Sequence, residues 1–245
     1  MIGIMRMSNA ITPGANMQEL LIESEAERRG LDRPVGTRHY RAFVGPTQRY
    51  DLMSANQFQV MCRLGLREDH YLLDIGCGSL RAGRLLMAYL LPGRYFGIEP
   101  ERWVLEEGIR AETGREFINL KSPSFDHNSD FDLGVFGRSF DFMLAQSIFT
   151  HTPVDQIRKC FANVASSLRP TGLFAATFKQ DDHEDYTGDE WIYPHQARYR
   201  RDTMRGLAED AGLCICFPEF DHPGLQTWMI LSRAERGPWQ EPDAA

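Results

Sequence analysis

The stretch YLLDIGCG at residues 71–78 constrains the fold of this chain more than any other. Residues 71–75 form a short apolar run, which is typical of a buried strand in a parallel sheet. The run ends in two glycines, Gly76 and Gly78, and a helical pattern follows them. Glycine lets the chain turn sharply and lets a ligand contact bare backbone, while the first turn of a helix offers free N–H groups. The stretch therefore predicts a small-molecule site at the carboxyl end of a strand.

The spacing of the glycines indicates which kind of loop this is. A phosphate-binding P-loop would need a lysine followed by serine or threonine after its last glycine, and the chain has no such pair here. The dinucleotide fingerprint Gly-x-Gly-x-x-Gly would require a third glycine where Arg81 stands, and Gly83 comes two places late. The loop therefore disfavours a site for NAD or FAD.

A second apolar run at residues 95–98 leads directly to Glu99. A predicted helix over residues 80–91 and a Pro-Gly turn separate it from the glycine loop. In nucleotide-binding α/β folds, an acid at this spacing accepts hydrogen bonds from the two ribose hydroxyls, because a carboxylate offers two acceptor oxygens side by side. The alternative is a surface acid at a strand end, but loop, helix, strand and acid occur together and in order.

The combination resembles motif I and the following acid of the class I (Rossmann-like) S-adenosylmethionine-dependent methyltransferase family, with Asp74, Gly76 and Gly78 at the motif positions. The resemblance extends over about residues 71–232. It implies an α/β fold with a seven-stranded, mostly parallel sheet flanked by helices, in the order 3-2-1-4-5-7-6 and with the last strand antiparallel. It also implies a methyltransferase with S-adenosyl-L-methionine as cofactor and S-adenosyl-L-homocysteine as product.

The resemblance further implies which residues bind this cofactor. Pro100 is expected against the adenine, Asp130 (or, alternatively, Asp126) near its amino group, and Gln146 and Ser147 beside the methionine portion. The helix before the first strand is expected to pack over the pocket. The predicted cofactor-binding residues are Asp74, Gly76, Cys77, Gly78, Glu99, Pro100, Asp130, Phe131, Gln146, Ser147 and Tyr50.

The segment after the fourth predicted strand (residues 140–145) contains the candidate catalytic residue, His151. Histidine has an ordinary pKa of about 6.5, so its neutral form can accept a proton at neutral pH. We therefore predict O-methylation of a small molecule by in-line methyl transfer with His151 as base. The alternative is that His151 only braces the helix that begins near Pro153.

A long segment at residues 179–195 lies on the substrate side, and loops of this length are usually functional or disordered. Its aromatic residues favour order, and Trp191, Tyr193 and His195 are the candidate substrate contacts. Arg41, in an arginine-rich segment before the core, is a candidate contact for an anionic substrate. The alternative is that it belongs to a solvated basic loop.

The same long segment contains Asp181, Asp182 and His183, which could bind a divalent metal. Three adjacent residues cannot easily converge on one ion, and acidic loops are usually solvated, so no metal site is predicted.

We predict three regions along the chain. Residues 1–52 form an N-terminal extension that is partly disordered, contains a helix over residues 17–29 and could serve as a lid or dimer arm. Residues 53–235 form the cofactor-binding domain, and residues 236–245 form a polar tail. Within the domain, a third strand is predicted at residues 116–120 and a turn at residues 169–172.

The charge and composition limit the kinds of partner and the location that we expect for this protein. A net charge of −7 argues against a nucleic-acid substrate, since phosphates require a basic surface. No apolar run approaches the ~20 residues of a membrane span, and five cysteines without metal spacing are expected to be reduced in the cytoplasm. We therefore expect a cytoplasmic protein with a small-molecule acceptor and a possible homodimer.

Two other functions stay open at this point. The first is a methyltransferase acting on RNA or protein, which a contiguous basic face would favour; its arginines would be Arg33, Arg38, Arg41 and Arg49. The second is a cofactor-binding protein without catalysis.

Overall fold

The computed structural model describes residue 27 and residues 29–241. The helix predicted over residues 17–29 and the last residues of the polar tail therefore lie almost wholly outside the described residues. Within the described part, no helix is both long enough and apolar enough to cross a membrane.

The fold is organised around one central sheet. Its strands run in the order β3-β2-β1-β4-β5-β8-β7, and a short strand β6 pairs with the end of β5. The bounds are β1 Leu72–Ile75, β2 Tyr95–Ile98, β3 Ser124–Asp126, β4 Phe140–Ala145, β5 Leu168–Gln180, β6 Arg198–Tyr199, β7 Leu213–Cys216 and β8 Thr227–Arg233. The pairs from β3 to β5 are parallel, and β8 is antiparallel to both β5 and β7. Apart from the two-residue β6, this is the predicted topology, which is confirmed.

Helices cover both faces of the sheet. They are α1 Tyr50–Arg63, α2 Gly83–Tyr89, α3 Arg102–Gly108, α4 Arg115–Lys121, α5 Val154–Ser167 and α6 Arg201–Asp210. A π-helical turn at Ile109–Thr113 separates α3 from α4. Alternate strand residues point to opposite faces of the sheet, and helices bury both faces. Leu73 packs with α5 and α6 on one face, and Leu72 packs with α1 and α2 on the other.

The predicted third strand at residues 116–120 is wrong, because this segment is helix α4. Leu120 is 68% exposed, while Phe117 and Ile118 pack against the core, so the apolar residues cover one side of a helical turn. The third strand is β3, which follows this helix in the chain, and Phe125 in it pairs with Gly97 of β2. The predicted turn at residues 169–172 is instead an irregularity within β5, where the register to β4 shifts.

Candidate functional site

A cavity of about 680 Å³ lies at the carboxyl ends of β1, β2 and β4. Its floor is the glycine loop after β1, and its walls come from the ends of β2 and β4. The segment before α1 and the long segment after β5 close it from the other side, through residues 43–46 and 191–196. This volume falls within the range of about 300–1,000 Å³ that is usual for small-molecule sites.

The glycine loop has the backbone conformation that only glycine adopts freely. Gly76 has φ = +72° and Gly78 has φ = +56°. A Cβ atom at Gly76 would collide with Ile148, and one at Gly78 would lie 2.7 Å from Val44 Cγ1. Any side chain here would therefore strain the loop and displace the residues that line the cavity. Cys77, between the two glycines, also lines the cavity, and burial raises the pKa of its thiol well above the usual value.

One further residue of this turn has a left-handed backbone conformation, which was not expected from the sequence. Leu80 has φ = +61° although it is not glycine, and its side chain is completely buried. The left-handed conformation costs a residue with a Cβ atom about 1–2 kcal/mol, so the packing of Leu80 has to hold the turn in place.

Two buried carboxyl groups line the cavity floor. Glu99 Oε2 accepts a hydrogen bond from the backbone N–H of Gly78 (2.9 Å), and Oε1 accepts one from the N–H of Glu101 (2.9 Å). Burial raises the pKa of Glu99 to about 7. Asp74 Oδ2 accepts a hydrogen bond from the Tyr95 hydroxyl (2.7 Å), and burial raises the pKa of Asp74 to about 6.

These contacts fix Glu99 beside the glycine loop while leaving further lone pairs on both carboxylate oxygens. A ligand with two adjacent hydroxyl groups could therefore donate to Glu99. The residues present fit the ribose of an adenosyl cofactor at this end of the cavity.

His151 lies in the cavity wall after β4, and the residue is 92% buried. Its Nδ1 lies 2.6 Å from the backbone carbonyl oxygen of His195. Because a carbonyl can only accept, Nδ1 carries the proton in the neutral ring and the lone pair is on Nε2. The ring packs edge-on against Tyr193 (centroid distance 4.8 Å), and burial lowers the pKa of His151 below its usual 6.5.

Gln146 and Ser147 belong to a polar network between the ends of β4, β5 and β8. The Gln146 amide donates to Ser147 Oγ (2.6 Å), and the Ser147 N–H donates to Thr177 Oγ1 (2.8 Å). Gln226 joins the network through Thr177, whose hydroxyl donates to its amide oxygen (2.6 Å). His222 lies 3.1 Å from Gln146 Nε2, and its pKa is lowered to about 4, first by burial and then by the charges of Arg81 and Lys179. Neither His222 nor Gln226 was predicted as a site residue from the sequence.

Most of the predicted site residues meet in this one cavity. Those that line it are Asp74, Gly76, Cys77, Gly78, Glu99, Pro100, Phe131, Gln146, Ser147, His151, Trp191 and Tyr193. Trp191 is 45% exposed at the opening, and the Tyr193 hydroxyl donates to the carbonyl oxygen of Phe43, which joins the two closing segments.

The other four predicted residues lie outside the cavity lining, each for a different reason. Asp130 points to solvent, where Lys159 Nζ lies 3.1 Å from its carboxylate, and its neighbours Asn128 and Ser129 line the cavity instead. Tyr50 is buried under the glycine loop, and its hydroxyl lies 3.0 Å from Ser79 Oγ.

Arg41 and His195 complete this group. The Arg41 guanidinium is buried and donates to Glu112, with 2.9 Å between Nε and Oε1, so its charge is already balanced away from the cavity. The His195 side chain is exposed, and its contribution to the site is the carbonyl oxygen that binds His151. Asp126, the alternative to Asp130, accepts instead from the backbone N–H of Asn128 (2.8 Å).

No group of three or more histidine, cysteine or carboxylate side chains in the described part of the chain could hold a metal ion. In the acidic segment, Asp181 Oδ1 accepts from the backbone N–H groups of His183 (2.9 Å) and Glu184 (3.2 Å), which accounts for its orientation.

Arg81 is the functional candidate that the sequence analysis passed over. It lines the cavity, it is buried, and it donates to the carbonyl oxygen of Val44 (2.6 Å) and to the Gln146 side chain. Its only signal in the sequence was an arginine at a position where a nucleotide-binding loop would have its third glycine.

Comparison with known proteins agrees with this geometry. Residues 73–174 match a family model described as a methyltransferase domain. These residues run from β1 through the first part of β5, so they contain the glycine loop, Glu99 and His151.

The fold is also found in solved structures of methyltransferases. A magnesium protoporphyrin IX methyltransferase from Synechocystis, solved with bound S-adenosylmethionine, superposes with a TM-score of 0.60 at 12% identity, over 91% of this chain and 100% of that one. An S-adenosylmethionine-dependent methyltransferase from Clostridium acetobutylicum gives 0.55 at 15% identity, over 89% and 99%. DesVI from Streptomyces venezuelae gives 0.56 at 14% identity, over 76% and 92%.

At these identities the superpositions establish the shared fold. Over residues 73–174 the chain is therefore similar to a methyltransferase domain, and its fold is one that S-adenosylmethionine-dependent methyltransferases have.

Proposed function

We propose that this protein transfers a methyl group from S-adenosylmethionine to a hydroxyl oxygen of a small molecule, with His151 as the general base. The observation that carries the proposal is the hydrogen bond between His151 Nδ1 and the His195 carbonyl oxygen (2.6 Å). It holds the neutral tautomer that has its lone pair on Nε2, in a residue that lines the same cavity as Glu99.

S-adenosylmethionine, when bound, supplies an electrophilic methyl group on a sulfonium. Glu99 would accept hydrogen bonds from its ribose, and the backbone of Gly76 and Gly78 would allow close approach beneath it. Gln146 and Ser147 would orient its methionine portion. The two closing segments, joined through Tyr193 and Phe43, would exclude water and hold the acceptor in line. Positioning of this kind can supply roughly 7–11 kcal/mol of the barrier in favourable cases.

His151 would then take the proton of the acceptor hydroxyl onto Nε2. Burial lowers the pKa of His151, so the ring is neutral at pH 7 and ready to accept a proton. The described residues offer Nε2 no hydrogen-bond partner, which leaves its lone pair free to take the hydroxyl proton of the methyl acceptor.

A small acceptor fits the cavity better than RNA or protein does. The basic face that a macromolecular acceptor would need is interrupted, because Arg41 is buried against Glu112. The neighbours that share the fold include DesVI and the magnesium protoporphyrin IX methyltransferase, and the second of these is named for a small-molecule substrate.

The test compares His151→Ala with wild type. A panel of hydroxyl-bearing and amine-bearing small molecules is first screened with wild type for S-adenosylhomocysteine formation by mass spectrometry. With the best acceptor, we expect His151→Ala to lose about 100-fold or more in turnover, the usual contribution of a general base, at unchanged affinity for S-adenosylhomocysteine.

The matched control is His183→Ala, because His183 is exposed on the same segment that contains Tyr193 and does not line the cavity. Wild-type turnover in His151→Ala, with cofactor binding intact, would remove His151 from the chemistry. Turnover only with amine acceptors would contradict O-methylation.

A further inference from the structure

Arg81 carries a buried positive charge without a counter-charge in contact. The residue is 8% exposed, its Nη1 donates to the Val44 carbonyl oxygen (2.6 Å), and its Nη2 donates to the Gln146 amide oxygen. Among residues 29–241, its Nε–H has no hydrogen-bond partner, and no carboxylate lies within 4.0 Å of the guanidinium. Two of its five N–H groups are thus satisfied, both by neutral acceptors.

An isolated buried cation is unfavourable unless an anion or further hydrogen bonds compensate it. Asp74 is the carboxyl group whose charge acts on Arg81, but no ion pair joins the two, and Asp74 Oδ2 accepts its hydrogen bond from Tyr95. Within the described residues the guanidinium therefore has no ion-pair partner, and Arg81 is among the residues that line the cavity.

A second arginine faces the same cavity. Arg49 is exposed, lines the cavity wall, and donates from Nη1 to the carbonyl oxygen of Pro223 (2.7 Å). Within the described chain it forms no ion pair. Arg81 and Arg49 thus place one cation at the floor and one at the rim.

The contacts of the two cations lie away from Glu99 along the sheet. Glu99 follows β2, while Asp74 lies within β1. The cations contact Gln146, at the end of β4, and Pro223, in the loop before β8. Since β4 and β8 lie on the side of β1 away from β2, these contacts are on the other side of β1 from Glu99, which would bind the ribose.

Building on the proposed function, we propose that the methyl acceptor is an anionic molecule and that Arg81 binds its carboxylate or phosphate group, with Arg49 at the opening. The planar guanidinium matches the two oxygens of such a group in a paired arrangement. The aromatic rings of Tyr193 and Trp191, in the same cavity, would contact the apolar part of the acceptor. The other possible source of a carboxylate is the methionine end of the cofactor itself, and the experiment separates the two.

The experiment is calorimetric titration of the full chain, saturated with S-adenosylhomocysteine, with benzoate, phenyl phosphate and the neutral benzamide as probes. Wild type is expected to bind at least one of the two anions about tenfold or more tightly than benzamide, because charge-assisted hydrogen bonds are the strong ones. Arg81→Gln is expected to lose this preference while its affinity for S-adenosylhomocysteine stays within about twofold.

Two further variants keep the test decisive. Arg84→Gln is the matched control, because Arg84 lies three residues further along, is paired with Glu112 (2.6 Å) and does not line the cavity; it is expected to keep the preference for anions. If Arg81→Gln does not fold, Arg49→Gln replaces it and is expected to weaken anion binding, with folding checked by thermal unfolding.

The outcomes against the proposal are distinct. If Arg81→Gln loses S-adenosylhomocysteine affinity as strongly as anion affinity, the carboxylate belongs to the cofactor and the assignment to the acceptor is wrong. If wild type binds S-adenosylhomocysteine but does not prefer either anion, the proposal fails while the methyltransferase function stands. Absence of S-adenosylhomocysteine binding to wild type would remove the proposed function as well.

Discussion

Replacing Leu80 with alanine or glycine tests the turn that supports the glycine loop. Leu80 is completely buried and lies in the left-handed region, with φ = +61°. Both replacements remove the packing of the Leu80 side chain beyond Cβ against the core residues around α2, which costs about 2–5 kcal/mol of the free energy of unfolding, and glycine removes the Cβ atom as well. The two variants also differ in the backbone conformations that they favour. The difference between their free energies of unfolding therefore reports the conformation of the turn.

The difference follows from three terms. Alanine keeps the left-handed strain of about 1–2 kcal/mol, which glycine does not have. Glycine gains more entropy on unfolding, which favours alanine by about 0.4–1 kcal/mol, and the buried Cβ atom favours alanine by about 0.8 kcal/mol more. We therefore expect Leu80→Gly and Leu80→Ala to be equally stable within about 0.5 kcal/mol, whereas at an ordinary buried helical position glycine would be the less stable by about 1.5 kcal/mol.

The assay is urea denaturation followed by tryptophan fluorescence, since the chain has four tryptophans. Ala88→Gly is the matched control, because Ala88 is exposed within α2, and this change should lower the stability by about 1 kcal/mol. The reasoning would be refuted if Leu80→Ala were more stable than Leu80→Gly by about 1.5 kcal/mol or more, the ordinary preference at a buried position. The turn would then not be left-handed, and the geometry of the loop above it would be wrong.

Three further results are expected. Tyr95→Phe should lose about 1.5–3 kcal/mol of stability in urea, because it removes the hydroxyl that donates to the buried Asp74 (2.7 Å); an unchanged midpoint would contradict this. The affinity for S-adenosylhomocysteine should fall as the pH drops below about 7, because Glu99, with its pKa raised to about 7, takes up a proton and loses acceptor capacity; a flat calorimetric profile from about pH 6 to 8.5 would refute this. Asp130→Asn should leave that affinity unchanged, because Asp130 lies with Lys159 at the surface, and a loss of affinity would place it in the site.

Much of the fold could be predicted because its signals are local. The apolar run at residues 140–145 has the bounds of β4, and the glycine pair follows β1 as expected. Residues 116–120 misled the prediction because a short apolar run is compatible with either a helix or a strand. The three residues of β3 carry little signal of their own, and their strand conformation depends on pairing with β2.

A site residue could be predicted from the sequence where the course of the backbone alone determines the position of its side chain. Gly76, Gly78 and Glu99 lie at strand ends, so the topology alone brings them to one cavity. Arg41 was not predictable in this way, because its direction depends on Glu112, which lies 71 residues away in the sequence. The same holds for Arg81, since its burial depends on Val44 and Gln146, which reach it from two distant segments.

The most direct test is calorimetric titration of wild type, Glu99→Ala and Glu116→Ala with S-adenosylhomocysteine at about pH 8, above the raised pKa of Glu99. Glu116 is an exposed glutamate of α4 outside the cavity and serves as the matched control. We predict binding to wild type and Glu116→Ala, and a loss of about tenfold or more in Glu99→Ala, because hydrogen bonds to a charged group are worth about 1.5–3 kcal/mol. Equal binding by all three proteins, or no binding by wild type, would contradict a cofactor held between the glycine loop and Glu99.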